Sequence, residues 1–409
     1  MNNKYILCLE SYVYIKRNPN KILIYNTLNN SKIIISNNCR AFDIINRLIN
    51  NSNCYSVKIN ESELRELTAE KFIDNLENSY SGKIITIKDN ILDPFSFIPK
   101  LHINDDGQKR LNGYSSGGKN ICNYLNEIIF FLNTNCSYNC SFCSYGFKQS
   151  YCCNESHSEN LKFKDLVQFI KSINKEVILT FAAGNILNYK HLKDLLDFIS
   201  ITGNNIRFLT NYKVFLQNIT KVERLKEKYR FQSLILIPGK IKDEHLTLLE
   251  KRLNDKTFLF ILKSEEEVND VWDQVEKLNL KDYILQIIVS NSMDYQLFKE
   301  SLLLNEDEIS DTDIKSIYKN QVINSYSFGK LLMDQAGRIY SNLNSNVLAK
   351  IPHYNINEII AKELLQKDGW FFTRNKIEPC SNCVYQDLCP PISDHERFND
   401  FYKLCHVIQ

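Results

Sequence analysis

Six short runs of almost uninterrupted apolar residues recur along the middle of the chain, with amphipathic segments such as 161–173, 191–199 and 265–278 between them. The runs span 127–133, 176–182, 206–210, 233–238, 257–263 and 283–290. Such runs are typical of parallel strands covered on both faces, and repeated βα units predict a parallel α/β sheet or barrel. Six units fall short of the eight in a closed barrel. The expected architecture is therefore an open, partial (β/α)6 barrel over residues 124–310.

The segments on either side of this region have different patterns. In residues 1–94, two β-rich runs at 22–26 and 32–36 flank the turn-like TLNNS, and helical patterns follow at 40–50 and 68–81 before the strand-like KIITIK. This order predicts a small winged-helix-like domain, with an ordinary α+β domain lacking a ligand as the alternative. Residues 95–123, with DDG and SSGG, are typical of an irregular linker.

The C-terminal region, 320–409, loses the βα rhythm. It contains a hairpin-like stretch at 330–341 with Gly337 at the turn, then a helical pattern at 357–366 and a group of cysteines. These features predict a separate C-terminal domain.

Charge and hydropathy restrict the partners. A net charge of +2 offers no electrostatic basis for binding nucleic acid or an anionic membrane surface. No apolar run approaches the length that spans a bilayer, and the first residues lack the apolar core of a signal peptide. We therefore expect a cytoplasmic protein without nucleic-acid or membrane partners.

The thirteen cysteines are unevenly distributed. In a reducing compartment, close clusters indicate metal sites rather than disulfides. The two clusters are Cys136, Cys140 and Cys143, and Cys380, Cys383, Cys389 and Cys405. The isolated Cys8, Cys39, Cys54 and Cys122 are predicted to be buried small apolar residues. The adjacent Cys152 and Cys153 fit a redox pair, spare ligands or unligated thiols.

The first cluster, in CSYNCSFC, directly follows the first predicted strand of the α/β region. Ligands in such folds bind at the carboxyl ends of strands. Three closely spaced thiolates can hold three irons of a [4Fe–4S] cluster, and the fourth iron then remains open to a small chelating molecule. A structural zinc loop is the alternative.

This C-x3-C-x2-C motif, with Phe142 before its last cysteine, resembles the radical S-adenosylmethionine superfamily. The resemblance implies that Cys136, Cys140 and Cys143 hold a [4Fe–4S] cluster whose open iron binds S-adenosylmethionine, with Phe142 beside the adenine. The second strand of that family usually ends in Gly-Gly-Glu, and here the stretch is Phe181-AAGN-Ile186. Gly184 matches the second glycine and Asn185 replaces the glutamate. The third strand ends in Thr210-Asn211, similar to the family's Thr-Asn-Gly, so Asn211 is also implied as a cofactor-binding residue.

The second cluster has the spacing C-x2-C-x5-C, and Cys405 follows after fifteen intervening residues. Four thiols are a full set for zinc or for [4Fe–4S]. The spacing resembles the SPASM extension of peptide-modifying enzymes, which implies one auxiliary [4Fe–4S] cluster held by Cys380, Cys383, Cys389 and Cys405. Two further thiols of that extension are missing here, one of them replaced by Asn342. A zinc knuckle is the alternative.

The N-terminal region resembles the peptide-recognition domain of ribosomal-peptide modification systems, in which a leader peptide adds as a strand to a hairpin edge. The phrases IYNTLNNSKIII, YLNEI and CVYQDLCPP are similar to a Bacteroidetes group of peptide-maturation proteins. The resemblance implies an enzyme that abstracts hydrogen from a ribosomally made precursor peptide, with an external electron donor. The alternatives are a non-catalytic scaffold of the pseudo-radical-SAM type, which presents the precursor to a partner enzyme, and a zinc-braced binding module.

Overall fold

The computed structural model describes residues 5–50, 55–87, 103–113, 120–132, 148–149, 161–182, 184–288, 309, 311–400 and 402. These residues form a mixed α/β structure with one large sheet and two small antiparallel sheets. None of the described helices is both long enough and apolar enough to cross a bilayer. The α/β class and the parallel sheet predicted from the apolar runs are confirmed.

The N-terminal part contains two three-stranded sheets, ordered β5-β1-β6 and β2-β3-β4, and three helices. Its elements are β1 (Tyr5–Leu9), β2 (Val13–Arg17), β3 (Lys21–Asn26), β4 (Lys32–Ser36), α1 (Arg40–Ile49), β5 (Ser56–Ile59), α2 (Glu61–Ala69), α3 (Phe72–Asn78) and β6 (Gly82–Thr86). The single helix expected at 68–81 is interrupted, because Lys71 adopts a left-handed backbone with φ of 55°. Apolar side chains from both sheets and all three helices share one core.

The linker expected at 95–123 contains structure of its own. Helix α4 (Asp106–Leu111) packs on a C-terminal helix, α12 (Ile356–Gln366). Gly107 makes this approach possible, since a Cβ there would lie only 3.0 Å from Leu364 Cβ. The segment is therefore attached to the C-terminal part of the chain.

The large sheet has the order β12-β11-β10-β9-β8-β7-β13-β14-β15. Strands β7 to β12 are parallel and follow one another in chain order, with at least one helix between each successive pair. In chain order, these strands and the helices between them are β7 (Glu127–Phe131), α5 (Phe163–Lys171), β8 (Ile178–Ala182), α6 (Leu192–Thr202), β9 (Ile206–Asn211), α7 (Tyr212–Gln217), α8 (Ile219–Lys228), β10 (Phe231–Pro238), α9 (Asp243–Arg252), β11 (Lys256–Leu262), α10 (Glu265–Leu278) and β12 (Tyr283–Ile287).

Alternate residues of these strands contribute to two different cores. One set, including Phe130, Phe181 and Phe208, packs with the helices in the largest apolar cluster. The other set, including Ile129, Ala182 and Leu209, forms a smaller cluster to which none of the described helices contributes. We call the first the helix face and the other the second face of the sheet.

The C-terminal part extends the same sheet on the far side of β7. Its elements are α11 (Ile314–Val322), β13 (Lys330–Met333), β14 (Arg338–Tyr340), β15 (Ala349–Lys350), α12 and α13 (Asp394–Asn399). Strand β13 pairs in parallel with β7, and β14 and β15 are antiparallel to their neighbours. The predicted hairpin is confirmed, with Gly337 at its turn at φ of 80°.

Candidate functional site

The predicted site residues follow three neighbouring parallel strands. Strand β7 ends at Phe131, β8 at Ala182 and β9 at Asn211. Because the strands are parallel, these ends lie at one edge of the sheet. The structure therefore brings Gly184, Asn185 and Asn211 to the edge from which the three-cysteine segment departs. The residues that lie outside the described part of the chain are Cys136, Cys140, Phe142, Cys143, Cys152, Cys153 and Cys405.

The described residues after the three-cysteine segment contact distant parts of the sheet. Gln286 of β12 donates from Nε2 to the carbonyl oxygen of Gln149, at 2.6 Å. Asn344 Nδ2 donates to the carbonyl oxygen of Lys148, at 3.4 Å. The three-cysteine segment thus begins after β7, the first of the six sequential strands, and the described residues that follow it lie beside β12, the last one. Both ends of the segment are anchored to the large sheet.

A buried hydrogen bond links the loop after β8 to the end of β9. Thr210 Oγ1 donates to the carbonyl oxygen of Gly184 at 2.8 Å, and both residues are buried. Asn211 is also buried, and its Oδ1 accepts from the backbone N–H of Lys213 at 2.9 Å. An asparagine in this position caps the following helix, α7, because its side chain satisfies an unpaired N–H of the first turn. Asn185 is half-buried and precedes a short 3-10 turn at 186–188.

At the opposite, amino-terminal ends of the strands, polar side chains of the second face form a hydrogen-bonded row. Glu127 Oε1 accepts from Thr180 Oγ1 at 2.5 Å and from Arg207 Nη1 at 3.0 Å. Arg207 Nε donates to Gln232 Oε1 at 2.8 Å, and Gln232 Nε2 donates to Thr257 Oγ1 at 3.3 Å. The row crosses five adjacent strands from β7 to β11. No sequence signal indicated it, because each polar residue is isolated within an apolar run.

Three of the four C-terminal thiols lie in one short segment of the described chain. Cys380 is buried, whereas Cys383 and Cys389 are partly buried. The backbone N–H of Tyr385 donates to Cys383 Sγ at 3.4 Å, and Arg374 Nη1 lies 3.7 Å from Cys380 Sγ. Hydrogen bonds of this kind stabilise negative charge on sulfur and accompany thiolate ligands of iron–sulfur sites.

The guanidinium of Arg374 also pairs with Glu396 at 3.1 Å. Burial lowers the pKa of Arg374, but Glu396 and the nearby thiols Cys389 and Cys380 raise it more, so the net shift is upward. The cation therefore persists beside the sulfur atoms. The donor set fits a thiolate-bound metal in its chemistry. No three histidine, cysteine or acidic side chains of the described residues already stand at metal-ligand spacing.

One of the two positions at which the resemblance implies a further thiol can be located in the fold. Asn342, at the position where the resemblance implies a cysteine, is buried just after β14. Its Nδ2 donates to Asp394 Oδ1 at 2.5 Å, and its Oδ1 accepts from the backbone N–H of Asn344 at 2.8 Å. Polar groups of the protein therefore surround this position.

The isolated cysteines differ in burial. Cys8 is buried as predicted, and Cys39 and Cys122 are only partly buried. Cys122 Sγ contacts Asn357 Oδ1 at 2.8 Å, and burial raises the pKa of the Cys8 and Cys122 thiols. Cys54 lies outside the described residues.

No protein-family model matches the chain, and no curated protein matches it. Among solved structures, it is similar to Streptococcus suis SuiB, with 12% sequence identity, a TM-score of 0.40, and coverage of 98% of this chain and 100% of that one. For SuiB bound to S-adenosylmethionine, the sequence identity is 12%, the TM-score is 0.39, and the alignment covers 94% of each chain. For SuiB bound to precursor peptide SuiA, the identity is 10%, the TM-score is 0.42, and the alignment covers 98% of this chain and 100% of that one. At these TM-scores the likeness carries no argument about the site.

Proposed function

We propose that the chain is a cytoplasmic radical S-adenosylmethionine enzyme that modifies a ribosomally made precursor peptide. The observation that carries the proposal is the position of C-x3-C-x2-C, whose first cysteine follows β7 by five residues. Strand β7 is the first of six parallel strands arranged in chain order, and α/β folds of this kind bind ligands at the carboxyl ends of their strands. We take these strands to form a partial (β/α)6 barrel with the second face inside.

We assign the cofactors to the segment that follows β7. Cys136, Cys140 and Cys143 would hold a [4Fe–4S] cluster, and Phe142 would lie beside the adenine. When bound, the cluster and S-adenosylmethionine would supply a 5′-deoxyadenosyl radical able to abstract hydrogen from the peptide. An external electron donor would reduce the cluster.

The described residues at this edge would supply the rest of the cofactor pocket. The hydrogen bond from Thr210 to Gly184 holds the β8 loop against the end of β9, where Asn211 lies. Asn185 would accept a hydrogen bond from the methionine ammonium through its amide oxygen, without the negative charge of the usual glutamate. We therefore expect the methionine ammonium to be bound more weakly here than in radical S-adenosylmethionine proteins that have the glutamate.

The C-terminal thiols would form a second metal site, which we call the auxiliary site. Cys380, Cys383, Cys389 and Cys405 form a complete set of four, and the contacts to Cys380 and Cys383 favour thiolates. We propose one auxiliary [4Fe–4S] cluster in a SPASM-like domain over 320–409, with a zinc site as the alternative. The amide at Asn342 supports a single site rather than two.

The N-terminal domain, 1–94, would recognise the leader segment of the precursor. Strand β4 is at the edge of the β2-β3-β4 sheet, and the side chain of Ile34 in its middle is 42% exposed. An extended peptide can add to such an edge through main-chain hydrogen bonds. This edge is the proposed leader-binding site.

A non-catalytic, peptide-binding scaffold is the second candidate function. Asn185 favours it, because this residue lacks the charge of the usual glutamate. A scaffold would not cleave S-adenosylmethionine, whereas the proposed enzyme would.

The test is anaerobic reconstitution with iron and sulfide, reduction with dithionite, addition of S-adenosylmethionine, and measurement of 5′-deoxyadenosine. We expect the wild-type chain to produce it and Cys140→Ala to lose it, with Cys39→Ala as a control outside the motif. Absence of the product from an iron-loaded wild-type chain, with no change in its electron paramagnetic resonance signal on adding S-adenosylmethionine, would contradict the enzyme and favour the scaffold.

A further inference from the structure

The β2-β3-β4 sheet has two apolar faces, and they pack on different parts of the chain. One face contributes to the N-terminal core, through residues such as Ile22 and Ile24. The other face, with Tyr14, Leu23 and Tyr25, packs on the C-terminal cysteine segment. Its partners in the cysteine segment are Val384, Tyr385 and Leu388, with Cys383 and Cys389 at the margin of the same cluster. Ile317 of α11 and Ile309 complete the cluster.

Polar contacts reinforce this packing at a buried carboxylate. Asp387 lies between Cys383 and Cys389 and is 2% exposed. Its Oδ2 accepts from Tyr14 Oη at 2.5 Å and pairs with Lys16 Nζ at 3.3 Å. Burial, followed by the charge of Asp387, raises the pKa of Tyr14 well above its usual value, so the phenol remains a hydrogen-bond donor. A buried carboxylate needs such partners, because an unpaired one is strongly destabilising.

The backbone of the same segment is held from the opposite side. Asn320 Nδ2 donates to the carbonyl oxygens of Asp387 and Cys389, both at 3.0 Å. The backbone N–H of Cys389 donates to the carbonyl oxygen of Tyr385 at 3.1 Å. The backbone of the turn is thus fixed by α11 and by its own hydrogen bonds. The side chain of Asp387 connects the turn to the N-terminal sheet, together with the apolar packing and a bond from Asn18 Nδ2 to the carbonyl oxygen of Asn382 at 2.8 Å.

We infer that Tyr14 and Lys16 of the N-terminal sheet, acting through Asp387, are positioning residues for the metal bound by the C-terminal thiols. This inference rests on the proposed function only in taking those thiols as metal ligands. Outer residues that orient ligands commonly affect metal affinity and electronic structure. The proposed leader-binding edge and the proposed auxiliary site would then share one three-stranded sheet.

Cobalt(II) is a suitable probe, because it binds thiolate sites and its visible absorption bands depend on ligand geometry, whichever metal is native. It would be titrated anaerobically into the metal-free full chain in which Cys136, Cys140 and Cys143 are replaced by alanine. Cys389→Ala in this background identifies the bands of the C-terminal site, since it removes one of the ligands.

The test variants are Tyr14→Phe and Lys16→Met. The matched controls are Tyr12→Phe and Lys83→Met, which remove the same groups from contacts confined to the N-terminal part, with Tyr80 and Glu10. We expect the test variants to bind cobalt about tenfold more weakly, with shifted bands, and the controls to match the parent.

Three results would overturn the inference. The first is test variants that match the controls in both affinity and bands. The second is that the test variants bind cobalt more weakly with unchanged bands, and that their loss of binding free energy equals their loss of unfolding free energy. That result would show a purely structural contact. The third is a parent chain whose cobalt spectrum is unaffected by Cys389→Ala. Failure to form 5′-deoxyadenosine in the earlier assay would refute the proposed enzyme but leave this comparison intact.

Discussion

Glu363 provides a sharp test of the packing around α12. Its side chain is fully buried, and its Oε1 accepts from the backbone N–H of Trp370 at 2.6 Å. Its Oε2 and the nearby Ser341 Oγ do not meet the geometry of a hydrogen bond with any described residue, although the Ser341 hydroxyl is close enough to oppose the upward shift of the Glu363 pKa. Burial raises the pKa of Glu363 from 4.5 to about 7, although the Trp370 N–H opposes the shift.

The direction of the pH effect follows from this shift. Between pH 4.5 and about 7, the folded chain retains a proton on Glu363 that the unfolded chain releases. The unfolding free energy contributed by this residue therefore falls as pH rises through that window, and it is constant above it. A shift of this size corresponds to about 3 kcal/mol.

Glu363→Gln should abolish this dependence. The amide keeps the acceptor for Trp370 and adds a donor toward Ser341, and it carries no charge at any pH. We expect the variant to be more stable than wild type by about 3 kcal/mol at pH 8 and similar to it at pH 4.5. Urea denaturation at several pH values would measure this, with Trp272→Phe in both chains so that fluorescence reports Trp370, since the chain has two tryptophans.

Glu358→Gln is the matched control. Glu358 is an exposed residue on the same helix, and glutamine can retain its role in the capping box. The reasoning is refuted if Glu363→Gln and Glu358→Gln show the same dependence on pH as wild type. A Glu363→Gln chain less stable than wild type at pH 8 would refute it as well.

Three further substitutions test other parts of the structure. Thr210→Val removes the donor to Gly184, and calorimetry should show about tenfold weaker S-adenosylmethionine binding; unchanged affinity would contradict this. Gly329→Ala places a Cβ against neighbouring atoms at a backbone φ of 80°, and it should lower the free energy of unfolding in urea by about 3 kcal/mol. Gly203→Ala is the control, because its φ is 79° but the space around it is open, and it should lower the free energy by about 1 kcal/mol. Asn342→Cys should leave the iron content per chain unchanged and lower unfolding free energy by about 1–2 kcal/mol; additional iron would contradict a single auxiliary site.

The parallel sheet could be predicted because its signal is local. Strands buried on both faces are apolar along their whole length, so the runs at 127–133 and 257–263 were visible without any knowledge of pairing. Their ends were less predictable. Strand β7 stops at Phe131 and β10 begins at Phe231, because strand ends depend on pairing with neighbours rather than on hydropathy.

The features that could not be predicted depend on distant partners. Strand β1 pairs with β5 and β6, whose residues are about fifty to eighty positions away. The row from Glu127 to Thr257 exists only once the register of five strands is set. The contact of Tyr14 with Asp387 joins positions 373 residues apart, and neither residue has a local signal for the other. The location of Gly184 beside Thr210 likewise needed the strand order.

The surroundings of Asn342 explain how an amide side chain is accommodated at this buried position. A cysteine there would offer sulfur in place of the amide that now binds both Asp394 and the backbone of Asn344. Asp394 is the first residue of α13, whose capping box uses Glu396, and Glu396 in turn pairs with Arg374 beside Cys380. Protein hydrogen bonds thus satisfy the amide of Asn342 and connect through α13 to the segment that contains Cys380. A polar network that is already satisfied has no need of a metal, and this is the physical basis for proposing one auxiliary site, at Cys380, Cys383, Cys389 and Cys405, rather than two.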